Sequence, residues 1–517
     1  QASVLDVYDA DRSQHVLKGG RKSDWDTFAS FAADHFGQNL QGTAILTGAT
    51  TSPSTWGLLM QAAERGAGVF LHEPVCRVNE MRGAMKAFGA PTKTHLDISQ
   101  AQVIVDFDSN FMQDHPTALR NSKQFAAGRK PEDGHMNRLY VYENTFSITG
   151  GMADHRFPTS ASDIGPAVWA LAAELVMGLG LPLPPNAGIT RGDLSRWRNH
   201  PAGGEHIKAV AHDLMENRGH GLVVAGIRQD PDVHALIHVL NTALDNVGHT
   251  VDHETVQMPE IRMVDELVDL LNAGRVTTLV TLGGNPVYDT PADIDFAAAM
   301  GKAKTRIHLG QRVDATAEQC NWHVPQAHYL ESWGDATAFD GTHMAEQPLI
   351  APLYDGKTVT ELLSTIVHDQ PKTAYDIART TFAAMTGVGA VPESDPAFEK
   401  KWRTFIHDGL LKGSGKRGAR PGLAGARLEQ PRSVELAANN LEITYLQDQS
   451  MYDGRYADNA WLQEMPDFMS KLTWDNAAIV GPATADALDV KHGDVVTLDY
   501  ETIEMPPIRL VDELVDL

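Results

Sequence analysis

The chain has 517 residues, of which 42% are hydrophobic and 21% charged, a composition typical of globular proteins rather than of disordered or collagenous ones. Lysine and arginine number 43 against 67 aspartate and glutamate, so the formal charge of −24 argues against a nucleic-acid partner. The two cysteines, Cys76 and Cys320, are too few for a disulfide framework or for the four thiolates of a cubane iron–sulfur cluster.

The first block of the sequence alternates short apolar runs with helical periodicity. A buried helix near 164–178 is also predicted, because Glu174 and a proline cluster interrupt this apolar stretch too early for a membrane span. Short buried strands that alternate with helices predict a parallel sheet. The predicted strands are 43–47, 69–71 and 102–107, and the predicted helices are 54–65 and 77–88.

A second block repeats this alternation after a Pro- and Gly-rich stretch at 182–204, which reads as a linker. The fold class predicted for both blocks is α/β, with two Rossmann-like doubly wound halves at 1–200 and 205–375. The predicted strands of the second block are 221–225, 277–282 and 305–309, and its helices are 231–247, 260–272 and 291–300.

The sequence changes character after about residue 375. A helix is predicted at 398–411, followed by a Gly-rich basic tract at 412–432 that is expected to form a mobile surface loop within a helical insertion at 376–438. Short alternating runs at 441–445 and 495–500 then predict a β-rich domain at 439–517. Within it, 502–517 matches 255–270 at 12 of 16 positions, and the last residues have helical spacing.

Three motifs carry weak chemical signals. The G-x-G-x-x-G spacing at 413–418 follows a helix rather than a strand, so a flexible linker is favoured over a dinucleotide site. His234 and His238 share a helix face that can bind zinc, but no third ligand is identified, and a partly buried helix face is favoured. Cys76 opens a helix, where a thiol pKa can fall, but an inert buried thiol is favoured.

Polar and small residues recur where predicted strands end. Because the carboxyl ends of parallel strands line a crevice in open α/β sheets, these loops predict a cleft between the halves for a large, flat, polar ligand. The residues concerned are Gly48, Thr50, Asp108, Asn110, Gly283, Gly284, Asn285, Pro286, Asp314, Thr316 and Glu318.

These motifs together resemble those of the molybdopterin oxidoreductases of the DMSO reductase type. The resemblance rests on the stretches 284–286, 314–318, 331–335 and 340–341, and on 474–478, 482–485 and 492–496 near the end. It implies two Rossmann-like halves with an incomplete C-terminal β-barrel, a bis-pterin dinucleotide between the halves, and Asn476 as a further cofactor contact. Within the family, the motif at 452–464 is most similar to the molybdopterin-like part of the iron–sulfur subunit of bacterial alternative complex III.

The resemblance implies a subunit of a membrane-associated, quinol-oxidising respiratory complex, peripheral on the outer, periplasmic face of the cytoplasmic membrane. Its partners would be an integral-membrane quinol-binding subunit and ferredoxin-like or cytochrome subunits. Because cluster-binding cysteines are missing, we expect a cofactor-free scaffold that holds no metal, with no catalytic residue and only Cys76 as a weak metal candidate. The alternative is an active oxidoreductase that binds molybdopterin guanine dinucleotide with molybdenum.

Overall fold

The computed structural model of the protein describes residues 2–256, 262–389, 391, 395–415, 417–432, 434, 441–500, 503–504 and 508–512. The strands are β1 Leu17–Lys18, β2 Arg21–Lys22, β3 Thr43–Thr47, β4 Gly68–Leu71, β5 Thr92–Leu96, β6 Val103–Phe107, β7 Arg129–Lys130, β8 His135–Met136, β9 Arg138–Glu143, β10 His155–Pro158, β11 Gly221–Ala225, β12 Val251–Thr255, β13 Arg262–Met263, β14 Thr278–Leu282, β15 Thr305–Gly310, β16 Trp322–Pro325, β17 Gly334–Thr337, β18 His343–Glu346, β19 Ala477–Val480, β20 Val495–Val496, β21 Asp499–Tyr500, β22 Ile503–Glu504 and β23 Ile508–Asp512.

Helices fill most of the connections, and a π-helical turn at Glu174–Gly178 extends one of them, α7. Among the described residues, none of these helices combines the length and the apolar character that a bilayer crossing needs. The α-helices are α1 Ala2–Val7, α2 Trp25–Phe36, α3 Pro53–Glu64, α4 Val78–Phe88, α5 Ala118–Ala127, α6 Ile148–Gly151, α7 Ala161–Ala173, α8 Arg191–Leu194, α9 Ile207–Glu216, α10 Pro231–Ala243, α11 Val264–Asn272, α12 Pro286–Asp289, α13 Phe296–Met300, α14 Ala315–Glu318, α15 Val359–Val367, α16 Ala374–Met385, α17 Pro396–Asp408, α18 Ala460–Gln463 and α19 Pro482–Leu488.

A large mixed sheet has the strand order β13-β4-β3-β14-β15-β16-β1-β2, and the strands from β13 to β16 are parallel. Apolar side chains on both of its faces explain the continuous hydrophobic runs, because helices cover each face of such a sheet. Ile45 and Val280 pack with α2, α3 and α15 on one face, whereas Leu46 and Leu279 pack with α11 and α13 on the other. The chain is therefore a mixed α/β protein.

A smaller parallel sheet has the order β10-β9-β6-β11. Val105 and Phe107 face a core formed with α4, α7, α9 and α10, while Ile104 faces the opposite core. The helix predicted near 164–178 lies in this first core as α7, and Trp169 on it is fully buried.

Strands from both sides of the predicted boundary near residue 200 share each sheet. β3 pairs with β14 in the large sheet, and β6 pairs with β11 in the small one. The chain leaves the large sheet after β4, builds the small sheet, and returns to the large sheet at β13. Local sequence patterns predict that a strand exists but not which strand it joins, so sheet membership does not follow the consecutive halves.

Several predicted elements differ from the structure at one end. The predicted helix 291–300 begins only at Phe296, because the Asp295 side chain caps it by accepting from the Ala298 amide. The predicted helix 260–272 is described from Val264 onward, since residues 262–263 pair with β4 instead; 257–261 lie outside the described residues. The predicted helix 398–411 ends at Asp408, where Gly409 takes a left-handed conformation.

The basic tract at 412–432, hereafter the basic strap, differs from the expected mobile loop. Its described residues form no helix or strand, but they make several contacts with the body of the protein around the small sheet. Arg417 and Arg420 form ion pairs with Asp252, the Ala424 amide donates to the Ala87 carbonyl, and Leu428 is buried. The basic strap is held by ion pairs of its arginines and by burial of Leu428. The composition of the tract does not reveal these partners, because they lie elsewhere in the sequence.

The C-terminal region is only partly β. Residues 441–445 form no strand, while β19, β23 and β20 form a small sheet and β21 pairs with β22. The strands described here do not close into a barrel, so the predicted β-barrel stays a prediction.

Candidate functional site

Loops from four strands meet at the carboxyl edge of the large sheet. The register places Leu282 of β14 beside Thr47 of β3 and Leu309 of β15, and Thr47 beside Leu71 of β4. The structure therefore brings together the predicted loops at 48–50, 283–286 and 314–318, as expected for parallel strands.

Two glycines shape the loop after β14. Gly283 and Gly284 have φ values of 72° and 71°, a left-handed conformation that L side chains rarely adopt. The Gly283 amide donates to the Leu309 carbonyl at 2.8 Å, and the next residue, Asn285, accepts from the Thr316 amide and hydroxyl at 3.1 and 2.8 Å. Asn285 thus joins the loops after β14 and β15, immediately before Pro286 begins α12.

The loop after β15 is closed by a capping carboxylate. Asp314 accepts from the Ala317 amide at 2.8 Å, and its burial raises the pKa of this carboxyl to about 6. Thr316 is buried and accepts from the Val287 amide at 3.1 Å, whereas Glu318 at the end of the same turn is exposed.

A chain of three side chains lies beneath the Gly283–Gly284 loop. His308 Nε2 is 3.1 Å from the Gly284 carbonyl, its Nδ1 is 3.2 Å from His323 Nδ1, and His323 Nε2 is 2.7 Å from Ser13 Oγ. Burial lowers the pKa of His308 to about 4 and that of His323 to about 3, so both rings are neutral near pH 7. We assign one direction to the bonds: Ser13 donates to His323, His323 to His308, and His308 to the carbonyl.

The charged groups at this edge are paired with one another. Arg455 forms ion pairs with Glu73 and Asp453, and Glu73 Oε2 also accepts from the Ala49 amide at 2.9 Å. Arg312, on the loop after β15, forms an ion pair with Asp9. The Glu73 carboxylate therefore already accepts the hydrogen bond of the Ala49 amide, which lies in the loop that follows β3.

The segment 448–459, hereafter the crossing segment, passes over this edge. Tyr452 Oη donates to the Val75 carbonyl at 3.3 Å, Asp458 lies 3.3 Å from Arg312, and Asn459 Nδ2 donates to Asp6 at 2.9 Å. Cys76, adjacent to the Tyr452 contact, is half-buried.

The carboxyl edge of the small sheet holds the second group of predicted residues. Asp108 and Asn110 have positive φ values of 62° and 43°. Asp108 accepts from Arg228 at 2.7 Å; burial raises its pKa, and the guanidinium only partly opposes this. Asn110 accepts from the Thr149 hydroxyl at 3.1 Å and donates to Asp114 at 3.0 Å.

Asp106, on β6, is fully buried beside this edge. One carboxylate oxygen accepts from the Ser109 amide at 2.7 Å, and the other has no hydrogen-bond partner among the described residues. Burial raises the pKa of Asp106 to about 8, with a further increase from Glu143 and Asp108 nearby. The side chain is therefore a neutral acid at pH 7.

Gly226 allows the loops after β6 and β11 to touch. A Cβ atom at this position would lie 1.8 Å from the Asp108 carbonyl oxygen. We expect Gly226→Ala to lower the free energy of unfolding by about 1 to 3 kcal/mol, because the backbone must shift to relieve the overlap. Gly57→Ala is the control: its Cβ meets no atom within 4 Å, and in the middle of α3 the change should stabilise by about 0.5 to 1 kcal/mol. Urea denaturation of both variants checks this, and equal effects would contradict it.

His234 and His238 lie on α10 as predicted, and both are buried. Burial lowers the pKa of His234 to about 4 and that of His238 well below its usual value. Phe88 and His253 pack against the His238 ring. The described part of the chain contains no group of three His, Cys, Asp or Glu side chains placed to hold a metal ion. Asn476 is exposed ahead of β19 and accepts from the Ala477 amide at 2.9 Å.

Sequence reasoning missed Glu73, Arg228 and His308. Glu73 and Arg228 follow strands β4 and β11, so a search of every strand end would have found them. His308 lies inside a strand, where a buried imidazole has no distinguishing pattern.

No family model matches the sequence, and no curated protein matches it. Among solved structures, the fold is similar to that of the acetylene hydratase from Pelobacter acetylenicus, with a TM-score of 0.63, 11% identity, and 98% of this chain and 84% of that chain covered. A second similar structure is the formyltransferase/hydrolase complex from Methylorubrum extorquens, with a TM-score of 0.43, 16% identity, and 68% and 97% of the two chains covered. At 11% identity, the likeness to the acetylene hydratase shows that this chain shares its fold.

Proposed function

We propose that this chain, whose fold is of the molybdopterin oxidoreductase type, acts mainly as a cofactor-free structural and docking scaffold. The complex we propose for it is a membrane-associated, quinol-oxidising electron-transfer assembly of the alternative complex III kind. One observation carries the proposal. The Glu73 carboxylate accepts a hydrogen bond from the Ala49 backbone amide, at the edge of the large sheet where the phosphates of a pterin dinucleotide would bind.

Backbone N–H groups at the ends of parallel strands are the usual donors to phosphate. Here the Ala49 amide donates to Glu73, the Thr316 amide to Asn285, and the Ala317 amide to Asp314. A phosphate would have to displace these acceptors, two of which are carboxyl groups.

The charge at this edge also disfavours a diphosphate. Arg312 and Arg455 are the cations at the edge described above, and each is already paired with carboxylates. A dianionic group would therefore enter a site where acidic side chains outnumber basic ones, and mutual repulsion would weaken its binding. The residues present fit a pterin dinucleotide poorly.

The crossing segment adds a steric argument. It is held over the large-sheet edge through Tyr452 and Asn459, and Arg455 anchors it to Glu73. A large planar cofactor in the predicted crevice would compete with this segment for the same edge. These contacts, together with the ion pair between Asp458 and Arg312, instead join the N-terminal, central and C-terminal parts of the chain, as a scaffold requires.

The alternative, an active molybdenum bis-pterin oxidoreductase, is favoured by one observation. A Cβ atom on Gly284 would meet nothing within 4 Å, so the loop after β14 is open to a close ligand approach. When bound, such a cofactor would supply the redox chemistry, and the loops at 48–50 and 283–286 would hold and orient it.

Elemental and pterin analysis distinguishes the two functions. We expect protein purified from a host that makes the pterin cofactor to contain far less than one molybdenum or tungsten per chain and no pterin fluorescence after oxidation. The unfolding temperature should also stay unchanged with millimolar guanosine diphosphate, because the donors are occupied. Metal and pterin near one per chain, or a rise in unfolding temperature with the nucleotide, would contradict the scaffold.

The partners and the location are part of the same proposal. The scaffold would sit peripherally on the periplasmic face of the cytoplasmic membrane, against a quinol-binding membrane subunit and ferredoxin-like or cytochrome subunits. Co-purification of the chain with such subunits from detergent-solubilised membranes at low salt would support it.

A further inference from the structure

Two segments that are far apart in the sequence bring five exposed arginines together. The segment 191–198 carries Arg191, Arg196 and Arg198, and the end of the basic strap carries Arg427 and Arg432. We call these five residues the arginine patch.

Contacts between the two segments fix the patch. Arg196 donates to the Pro431 carbonyl at 3.4 Å, Trp197 Nε1 donates to Gln430 at 2.9 Å, and Arg427 lies 3.6 Å from Asp193. The Leu428 amide also donates to the Gly188 carbonyl at 3.1 Å. The strap end is therefore held against 188–197, so that the two arginine-bearing segments lie side by side.

The patch keeps its positive charge. The strap's other described arginines, Arg417 and Arg420, are paired with Asp252, but Arg191, Arg198 and Arg432 have no carboxylate within 4 Å among the described residues. Asp193 and Glu429 are the acidic side chains within the two segments. Asp232 of α10 also accepts from the Glu429 amide at 2.7 Å, but its charge is balanced by Lys86. The five guanidinium groups therefore still outnumber the carboxylates around them. This local charge is opposite in sign to the chain's net −24.

We propose that the arginine patch is a docking surface for a carboxylate-rich face of a partner protein. This proposal rests on the scaffold function proposed above. Arginine forks bind carboxylates in bidentate geometry, and a positive patch on an acidic chain orients an acidic partner toward that one face. An anionic bilayer fits less well, because the chain's net charge repels it. In addition, the described residues of 191–198 and 427–432 expose no large apolar side chain that could enter a membrane.

The test uses a fluorescently labelled deca-glutamate peptide and the full chain at low salt. We expect Arg191→Gln combined with Arg198→Gln and Arg432→Gln to weaken peptide binding about tenfold, and to reduce the salt dependence of the dissociation constant. The matched control removes the same charge from exposed positions on α17, with Lys400→Gln, Lys401→Gln and Arg403→Gln, and should change binding less than about twofold.

Equal weakening by the two triple variants would show a non-specific charge effect and overturn the proposal. It would also be overturned if phosphatidylserine vesicles, and not the peptide, bound in a patch-dependent way, or if the patch variant only abolished self-association. Unfolding temperatures of all three proteins confirm that they are folded. The metal and pterin content of the same preparations tests the scaffold function separately, so the two failures are distinguishable.

Discussion

Replacing Glu331 by Gln should lower the free energy of unfolding by about 3 to 5 kcal/mol, the range for removing one partner of a buried ion pair. Arg12 donates to both Glu331 oxygens, at 3.0 and 2.7 Å, and both side chains are almost completely buried. The same carboxylate accepts from the His328 and Leu353 amides at 2.9 Å. Burial acts against ionisation, but these hydrogen bonds outweigh it and hold the pKa of Glu331 below its usual value.

The cost arises because the variant leaves the Arg12 guanidinium charged in the interior without a counter-ion. The double variant Arg12→Met with Glu331→Gln should recover part of the loss, since it removes both charges while the Gln carbonyl can still accept from a backbone amide. Glu266→Gln is the matched control: it breaks the partly exposed pair with Arg262 and should cost less than about 1 kcal/mol. Urea denaturation provides the comparison, and a Glu331→Gln effect as small as the control would show that the buried pair contributes little.

Local patterns predicted six of the twelve strands of the two sheets, namely β3, β4, β6, β11, β14 and β15, because each is a short apolar run followed by a small or polar residue. They missed β9, β10 and β16 and the short strands β1, β2 and β13. The run at 221–225 is β11 at both ends, and 43–47 is β3. Pairing could not be predicted in the same way. β6 and β11 join across more than a hundred residues, and such pairing depends on how the helices of the core pack rather than on either strand alone.

The copied sequence shows how context overrides local propensity. Val264 and Asp265 begin α11, where the apolar face of the helix meets the large sheet. The matching residues at 511–512 belong to β23, which pairs with β19. Identical residues therefore adopt a helix in one place and a strand in the other, because the available partners differ.

That the loops after β3, β14 and β15 meet at one edge was predictable from the sequence, but the charge at that edge was not. The rule that ligands bind at the carboxyl ends of parallel strands led to the prediction of the loops at Gly48, Gly283 and Asp108. The pairing of Arg455 with Glu73 links residues 382 positions apart, and no spacing rule relates them. The sequence could therefore predict where these loops lie, whereas the occupied backbone donors and the paired charges are visible only in the three-dimensional contacts.

Replacing Asp106 by Asn should stabilise the protein at pH 7, whereas the Glu331 variant is destabilised. The gain from removing the ionisable group is on the order of 4 kcal/mol, from which about 1 to 3 kcal/mol is lost because the buried amide N–H2 group has no described acceptor. The pKa of this carboxyl is raised from 3.8 to about 8 in the folded protein, because burial penalises the charged form. At pH 7 ionisation of Asp106 lowers the free energy of the unfolded chain, whereas in the folded chain burial keeps this carboxyl protonated. Its contribution to folding is therefore less favourable at pH 7 than at low pH. The stability that the neutral acid supplies is complete below pH 3.8 and is lost as the pH rises to about 8. Asparagine is neutral in both the folded and the unfolded state, so its contribution to the free energy of unfolding does not fall as the pH rises.

The difference between variant and parent should therefore grow by about 1.4 kcal/mol per pH unit between pH 5 and pH 8 and then level off. Buried histidines such as His234 and His253 destabilise both proteins below pH 6.5, because their pKa values are lowered to about 4, but they cancel in the difference. Asp154→Asn is the control of opposite sign: despite its burial, hydrogen bonds from Arg129 and Leu139 lower the pKa of Asp154, so its loss should destabilise at pH 7. Urea denaturation at several pH values would measure both. Parallel stability curves for Asp106→Asn and the parent would mean that Asp106 ionises in the folded protein as it does in water.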